Sequence, residues 1–276
     1  MDKPMVWQAL RDRIALNLTS VACRLSAEPR HPVTVMGLEF PTPLGIAAGF
    51  DRHGALGRRV APLGFGFNEI GSLTAAPLAR LQPIPPGDAR LGVNLTMDAR
   101  CSTAETCALL RGAWRHADYL VLNLIGPSSA PLLHQGARLH NLLTALREEQ
   151  HQLNLKGKRW VPLIAKLRCL PEQIPFSLAG LLLELGFDGL LAAHDPGPPA
   201  TRERYLAWQD PQRQAQACEQ IEHLRRFCGN NMALLSVGGI QTASQLQARM
   251  RAGADLVQVH AALLRQGPWL GRKLLR

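Results

Sequence analysis

The sequence predicts an α/β fold, a (β/α)8 TIM barrel with an N-terminal amphipathic helix. Three observations support this prediction: a length of 276 residues with 46% hydrophobic content, eight short apolar runs, and helical patterns between most of these runs. A single large core in a chain of this length is typical of a one-domain α/β barrel. We therefore expect an N-terminal helical segment over residues 1–30 and a barrel domain over residues 31–276.

The first element is a predicted helix over residues 5–25. Six large apolar residues recur there at helical spacing, with arginines between them: Trp7, Leu10, Ile14, Leu18, Val21 and Leu25. Two interpretations stay open. The helix either docks on the barrel, as an ordinary surface helix does, or enters a membrane interface while its arginines meet anionic headgroups.

A short hairpin is predicted next, over Val33–Phe40, and it fits the role of a cap for the barrel. The eight candidate strands are Leu44–Ala47, Phe65–Ile70, Leu91–Leu95, Tyr119–Asn123, Val161–Lys166, Gly189–Ala193, Leu234–Val237 and Leu256–Val259. The helical patterns between them are Ala104–Arg115, Leu139–His151, Phe176–Leu185, Gln212–Phe227 and Thr242–Ala252. Eight alternating units favour a closed parallel barrel, with its site at the C-terminal ends of the strands.

Two connections lack this regularity. Ala75–Arg90 contains four prolines and no helical period, and Asp195–Gln209 opens with Asp-Pro-Gly-Pro-Pro. Both are predicted to be irregular loops, which at the strand ends of a barrel are either functional or disordered.

Composition limits the function classes. The net charge of +10 suits an anionic partner, such as a phosphate-bearing ligand, a nucleic acid or an acidic membrane surface. No aromatic-rich basic motif, zinc-spaced cysteine set or helix-turn-helix pattern accompanies the charge, so we expect neither nucleic-acid nor metal binding. Six cysteines without CxxC spacing, no signal-peptide pattern and no apolar run of about 18 residues predict a cytoplasmic protein with reduced thiols.

Polar residues and glycines end several predicted strands. Ser236–Ile240 and Gly253–Val259 could build a phosphate cradle from backbone N–H groups, or Gly238 and Gly239 could simply form a tight turn. Lys166 ends another strand, where burial would be costly without an anion or an electron-rich ring as a partner. Asn94 and Asn123 could bond the edge of a flat heterocycle from inside the barrel mouth.

Motifs in order along nearly the whole chain resemble the quinone-linked, membrane-associated class of dihydroorotate dehydrogenases. They are Gly37–Phe40, Pro43–Gly54, Gly64–Gly66, Glu69–Thr74, Leu91–Leu95, Asn123, Val161–Lys166, Val237–Ile240 and Gly253–Val259. The resemblance implies a flavin mononucleotide (FMN) barrel that oxidises dihydroorotate to orotate in pyrimidine biosynthesis. It also implies that electrons pass to a quinone through an N-terminal helical membrane region, which would place the protein peripherally on the inner face of the cell membrane.

The resemblance also implies roles for individual residues. It would place Ala47, Ala48, Gly49, Gly71 and Ser72 around the flavin ring, Asn94, Asn123 and Lys166 on its polar edge, and Val237, Gly238 and Gly239 on the phosphate. Arg52, Ser128 and His194 occupy positions where the family binds its substrate.

Departures from the family are concentrated at the reacting end of the site. The family's catalytic serine is replaced by Gly126, which has no side chain to accept a proton. Ser128 is the nearest substitute, although a serine has no advantage as a base without a helper. A family segment rich in substrate-binding asparagines is missing between Glu69 and Val93. Ala193-His194 and His260-Ala261 replace hydrogen-bonding pairs of the family after the sixth and eighth strands, so we expect the substrate and phosphate sites to be partly eroded.

Three hypotheses follow. The first is a flavin-binding oxidoreductase that is weak on dihydroorotate or directed to another small substrate. The second is a non-catalytic pseudoenzyme that binds a ligand or a partner, and it rests on Gly126 and the missing asparagines. The third, based on the charge and the N-terminal helix, is a scaffold associated with membranes or nucleic acid.

Overall fold

The computed structural model describes residues 3–24, 31–170, 172–195 and 200–276. Its strands are β1 Val33–Val35, β2 Leu38–Phe40, β3 Leu44–Ile46, β4 Phe67–Leu73, β5 Arg90–Thr96, β6 Tyr119–Asn123, β7 Leu163–Arg168, β8 Gly189–Ala193, β9 Ala233–Val237 and β10 Leu256–Val259. Its helices are α1 Lys3–Arg24, α2 Ala75–Ala79, α3 Thr103–Trp114, α4 Ala130–Leu133, α5 Gly136–Gly157, α6 Phe176–Glu184, α7 Arg202–Ala207, α8 Pro211–Cys228, α9 Ala243–Arg251, α10 Ala261–Gln266 and α11 Leu270–Leu274. Short 3₁₀ turns lie at Ala61–Leu63 and Pro127–Ser129.

Strands β3 to β10 close into one parallel barrel, in which β10 pairs with both β9 and β3. Each of the eight strands corresponds to one of the eight apolar runs, so the predicted (β/α)8 barrel is confirmed. The barrel mouth collects the C-terminal ends of all eight strands, because the strands are parallel.

Alternation along each strand decides which side chains enter the barrel. In β7, Leu163 and Ala165 face the surrounding helices, whereas Ile164 belongs to the interior cluster. The same alternation carries Lys166 inward at the mouth, where it lies buried.

The hairpin of β1 and β2 closes the opposite end of the barrel, as the sequence predicts. Phe40 is fully buried there, with its ring centroid 5.5 Å from that of Phe67 and 6.3 Å from that of Tyr119. These three rings fill the interior at this end of the barrel.

Helix α1 docks on the barrel through small residues. Thr19, Ala22 and Cys23 are buried, and Ala22 and Cys23 join the main hydrophobic cluster. The apolar stripe noted in the sequence faces outward instead: Leu10, Ile14, Leu18 and Val21 are 45–57% exposed. The Trp7 side chain and Leu25 lie outside the described part of the structure.

Two predictions of wholly irregular loops are wrong in part. The Ala75–Arg90 connection begins with helix α2, which tolerates Pro77 because the first turn of a helix has no internal partner for its N–H groups. The Asp195–Gln209 connection contains helix α7, whose N-cap Thr201 accepts a hydrogen bond from the Arg204 N–H at 3.3 Å. Positions 196–199 of that connection lie outside the described residues.

Candidate functional site

A cavity of about 860 Å³ opens at the barrel mouth. Eight residues singled out in the sequence line it: Ala48, Gly49, Arg52, Gly71, Ser72, Asn123, Gly126 and Lys166. They come from four segments of the chain, at or after the ends of β3, β4, β6 and β7, and they meet because parallel strands bring these ends together.

A chain of hydrogen bonds leads from the cavity into the barrel. The Asn123 amide donates to Ser72 Oγ at 2.7 Å, and the Ser72 hydroxyl donates to Asn94 Oδ1 at 2.5 Å. The carboxylate of Glu69 accepts from Asn94 at 2.8 Å and from Gln258 at 2.5 Å. Asn94 is fully buried and lies beneath the cavity rather than on its wall, so it acts on the cavity through Ser72.

Lys166 supplies the buried amino group of this cavity. Burial lowers the pKa of its amino group, while the negative charges of Glu69 and Asp195 oppose that shift. Within the described residues, its Nζ has no hydrogen-bond acceptor. A buried amino group with unused donors suits an acceptor-rich ring edge or an anion in the cavity.

A second, smaller cavity of about 70 Å³ surrounds the turn after β9. The predicted phosphate residues Val237, Gly238 and Gly239 line it, together with Ala47. Ala48 and Lys166 line both cavities, so the two adjoin at the barrel mouth.

The turn at Gly238–Gly239 packs against Trp208, which lines the same small cavity. A Cβ atom at Gly239 would lie 2.1 Å from the Trp208 ring, so this position accepts only glycine while the indole stays in place. The Trp208 Nε1 donates to Asp195 at 2.9 Å, and Gln214 donates to the Gly239 carbonyl at 2.7 Å. Glycine is thus required here by close packing as well as by turn geometry.

A buried arginine lies behind the same turn. Arg249 is fully buried and donates to Ser236 Oγ at 2.9 Å and to the Gly238 carbonyl at 3.4 Å. No carboxylate of the described chain forms an ion pair with it. Burial lowers the pKa of its guanidinium to about 10, so it carries an unneutralised positive charge at neutral pH.

The two histidines occupy different places. His194 lines neither cavity, because its ring turns between Gln220 at 2.6 Å and Ser236 at 3.1 Å. Burial and the charge of Arg249 hold the pKa of His194 well below its usual value. This position differs from the expected substrate contact. His260 does line the smaller cavity, and burial lowers the pKa of its ring to about 4.

The loop after β6 carries Gly126 and Ser128. Gly126 lines the larger cavity with φ −72° and ψ 156°, a conformation open to any residue. Ser128 lines neither cavity, so its position does not suit the expected substitute base or substrate contact. The neighbouring Ser129 donates to the Met97 carbonyl at 2.6 Å and supports the loop.

Several residues of this site were not assigned a role from the sequence. Glu69 could have been recognised from the sequence, because a carboxylate inside an apolar strand must find hydrogen-bond partners. Trp208 and Arg249 could not have been recognised in this way, because each lies in a polar segment that is typical of a surface helix or loop. Across the part of the chain that the structure describes, no group of three or more His, Cys, Asp or Glu could hold a metal, and no helix is long and apolar enough to cross a membrane.

Comparison with known proteins gives a consistent result. No family model matches the chain. It is 30% identical to dihydroorotate dehydrogenase (quinone) of Cellvibrio japonicus, over 88% of this chain and 84% of that protein. It is 31% identical to the protein of the same name from Bordetella avium, over 89% and 84%, and 32% identical to that of Chromobacterium violaceum, over 92% and 86%.

Solved structures agree on the fold. A ligand-free dihydroorotate dehydrogenase of Eimeria tenella superposes with a TM-score of 0.73 at 21% identity, covering 96% of this chain and 92% of that one. The complex of the Eimeria enzyme with ferulenol gives a TM-score of 0.72.

Proposed function

The chain belongs to the quinone-linked dihydroorotate dehydrogenase family, and from this premise we propose that it is an FMN-binding barrel with a weakened or lost dihydroorotate reaction. The observation that carries the proposal is the pairing of a ring-sized cavity with Lys166, a buried donor that lacks an acceptor within the described chain.

The residues at both ends of the site fit FMN. In the larger cavity, Lys166 and Asn123 supply donors, and Ala48 and Gly49 leave room for a flat ring. The smaller cavity of about 70 Å³ holds roughly five water-sized atoms, at the ~10–15 Å³ that each needs. A phosphate group has the same number of heavy atoms, and the glycine turn and the Arg249 charge favour an anion there.

When bound, FMN supplies the acceptor for a hydride from the substrate and the route by which electrons reach a quinone. The Asn123–Ser72–Asn94 chain would keep the Asn123 and Ser72 side chains oriented at the cavity wall. None of the described residues on the cavity wall is placed to act as the general base that removes the substrate's proton. Gly126 offers no acceptor on the cavity wall, and Ser128 lies off that wall, so the general-base contribution of roughly 10²–10⁴-fold is missing.

Gly126 also favours a second candidate function, a pseudoenzyme that binds a ligand or a partner without turnover. Reduction of a dye by dihydroorotate with FMN-loaded protein separates the two candidates: slow turnover favours the weakened oxidoreductase, and no turnover favours the pseudoenzyme. We expect little or no turnover, and rates of about 1–10³ s⁻¹ would overturn the proposal of a weakened site.

Helix α1 supports peripheral attachment to the inner face of the cell membrane. Its exposed stripe of Leu10, Ile14, Leu18 and Val21 could enter the interface, with Arg13 and Arg24 beside it at the headgroups. Such attachment would bring a membrane quinone close to the barrel, in keeping with the names of the bacterial relatives.

The cofactor proposal is tested by loading the purified protein with FMN and removing the excess by gel filtration. We expect a retained flavin absorbance band in the wild type, loss of this band in Lys166→Met, and no loss in Lys156→Met. Lys156 is exposed on α5, so it controls for the removal of one positive charge. A colourless wild type, or equal retention by both variants, would overturn the assignment.

A further inference from the structure

The entrance of the larger cavity has a chemical character of its own. We define the entrance by Arg52, Arg168, Leu133, Leu170 and Phe176, all of which line the cavity and are exposed. They come from the segment after β3, from α4, and from the end of β7 through the start of α6. Ser72, Asn123 and Lys166 line the same cavity from the ends of β4, β6 and β7, and we define them as its floor.

The charges at this cavity have one sign. Arg52, Lys166 and Arg168 line it, and none of its described lining residues is an aspartate or a glutamate. Arg52 Nε donates to the Gly49 carbonyl at 3.4 Å, and Arg168 Nη2 donates to the Ile125 carbonyl at 3.3 Å. Neither guanidinium has an ion-pair partner in the described chain, so most of their N–H donors remain available to an anion.

The entrance also exposes three large apolar side chains. Leu133, Leu170 and Phe176 are 38–41% exposed. Single exposed apolar residues are ordinary, but a group of them around one concave cavity marks a binding surface. The unfavourable free energy of exposing these three side chains to water is reduced when an apolar ligand covers them.

The cavity volume adds a size argument. At about 860 Å³ it lies near the upper end of the ~300–1,000 Å³ range of small-molecule sites. A flavin ring on the floor would leave space above it. Dihydroorotate is small and polar throughout, so it would leave the apolar part of the entrance uncovered.

We propose that the entrance binds an amphiphilic carboxylate, whose anionic head bonds Arg52 and Arg168 and whose alkyl or aryl body covers Leu133, Leu170 and Phe176. The inference rests on the proposed function in one respect, that the flavin ring forms the floor of the same cavity. Arginine suits this head group because its planar fork matches a carboxylate in two parallel hydrogen bonds.

Isothermal titration calorimetry with octanoate tests the proposal. Octanamide has the same chain without the charge, and acetate has the charge without the chain. We expect octanoate to bind at least about tenfold more tightly than either, because both parts of the entrance contribute. Equal affinities for octanoate and octanamide, or no octanoate binding at millimolar concentration, would overturn the proposal.

The double variant Arg52→Gln/Arg168→Gln should weaken octanoate binding roughly 10- to 100-fold and change octanamide binding by less than about threefold. Arg226→Gln is the matched control, since Arg226 on α8 is 72% exposed and lines neither cavity. Unchanged octanoate affinity in the double variant would show that the head group is bound elsewhere and would overturn the assignment.

Location is tested with FMN-loaded protein, in which octanoate bound above the ring should shift the flavin absorbance band. Heat of binding without such a shift would place octanoate elsewhere and contradict the inference. If the protein cannot be loaded with FMN, the proposed function fails, whereas the calorimetric comparison of octanoate with octanamide still decides the entrance proposal.

Discussion

Replacement of Gly126 by serine would place a hydroxyl at the position that the family resemblance assigns to the catalytic base. The backbone there, with φ −72° and ψ 156°, needs no glycine. A Cβ atom built at Gly126 meets only Ser129 Oγ at 3.8 Å and Ser128 Oγ at 3.9 Å, which are ordinary van der Waals distances. The substitution should therefore be accommodated without a shift of the loop.

The expected effect on stability is small and positive. Replacing a glycine in a compatible conformation stabilises a protein by about 0.4–1 kcal/mol, because the unfolded chain loses freedom. For a domain of this size, that corresponds to a rise in Tm of roughly 1–3 °C. Gly126→Ala should show the same rise, and it is the matched control because it adds the Cβ atom without the hydroxyl.

The effect on turnover should be partial. A full general base contributes roughly 10²–10⁴-fold. We expect Gly126→Ser to exceed Gly126→Ala by less than about 10²-fold in dye reduction with dihydroorotate, because Ser128 and His194 do not line the cavity and cannot hold the substrate. Equal rates for the two variants would refute the role of position 126 as a base. A rate of about 1–10³ s⁻¹ for Gly126→Ser would refute the inference that substrate contacts are missing. A fall in Tm in either variant would refute the backbone argument.

Three further predictions follow from other parts of the structure. The pKa of His260 is about 4 in the folded protein and 6.5 in the unfolded chain. Between these pH values the unfolded chain binds more protons, so the free energy of unfolding falls as the pH falls through this window. From pH 7 to about pH 5 the loss is about 1–2 kcal/mol for this half-buried ring, and urea unfolding of His260→Gln should show a correspondingly smaller loss. Arg249→Gln should weaken FMN binding about tenfold or more but riboflavin binding by less than about threefold, because only FMN carries the phosphate charge. Fluorescence titrations measure both affinities, and an equal loss for the two ligands would contradict this prediction. Ile14→Ser/Leu18→Ser should reduce sedimentation with anionic liposomes at low salt without lowering Tm, and a wild type that stays in the supernatant would count against membrane attachment.

The barrel and much of its mouth are determined by local sequence. Eight apolar runs with helical patterns between them predict parallel strands, and parallel strands bring their last residues together. The inward positions of Asn123 and Lys166 follow from two-residue alternation along β6 and β7. Such periodic signals are local, so they can be recognised without knowledge of the neighbours.

Residues with a role set by remote partners could not be predicted in this way. Arg249 is one of two arginines on the polar helix α9, and only the packed structure places it behind Gly238. His194 follows β8 as a substrate contact would, yet its hydrogen bonds with Gln220 Oε1 and Ser236 Oγ turn the ring away from both cavities. These outcomes depend on side chains far apart in the chain.

Helix α1 shows the same division within a single element. Its sequence determined that a helix forms and that one side is a stripe of large apolar residues. The tertiary structure decided that the opposite side, with Thr19, Ala22 and Cys23, contacts the barrel, while Leu18 and Val21 face outward. The physical reason is that periodicity defines the faces of a helix, whereas close packing against a fixed surface selects the face whose side chains fit it.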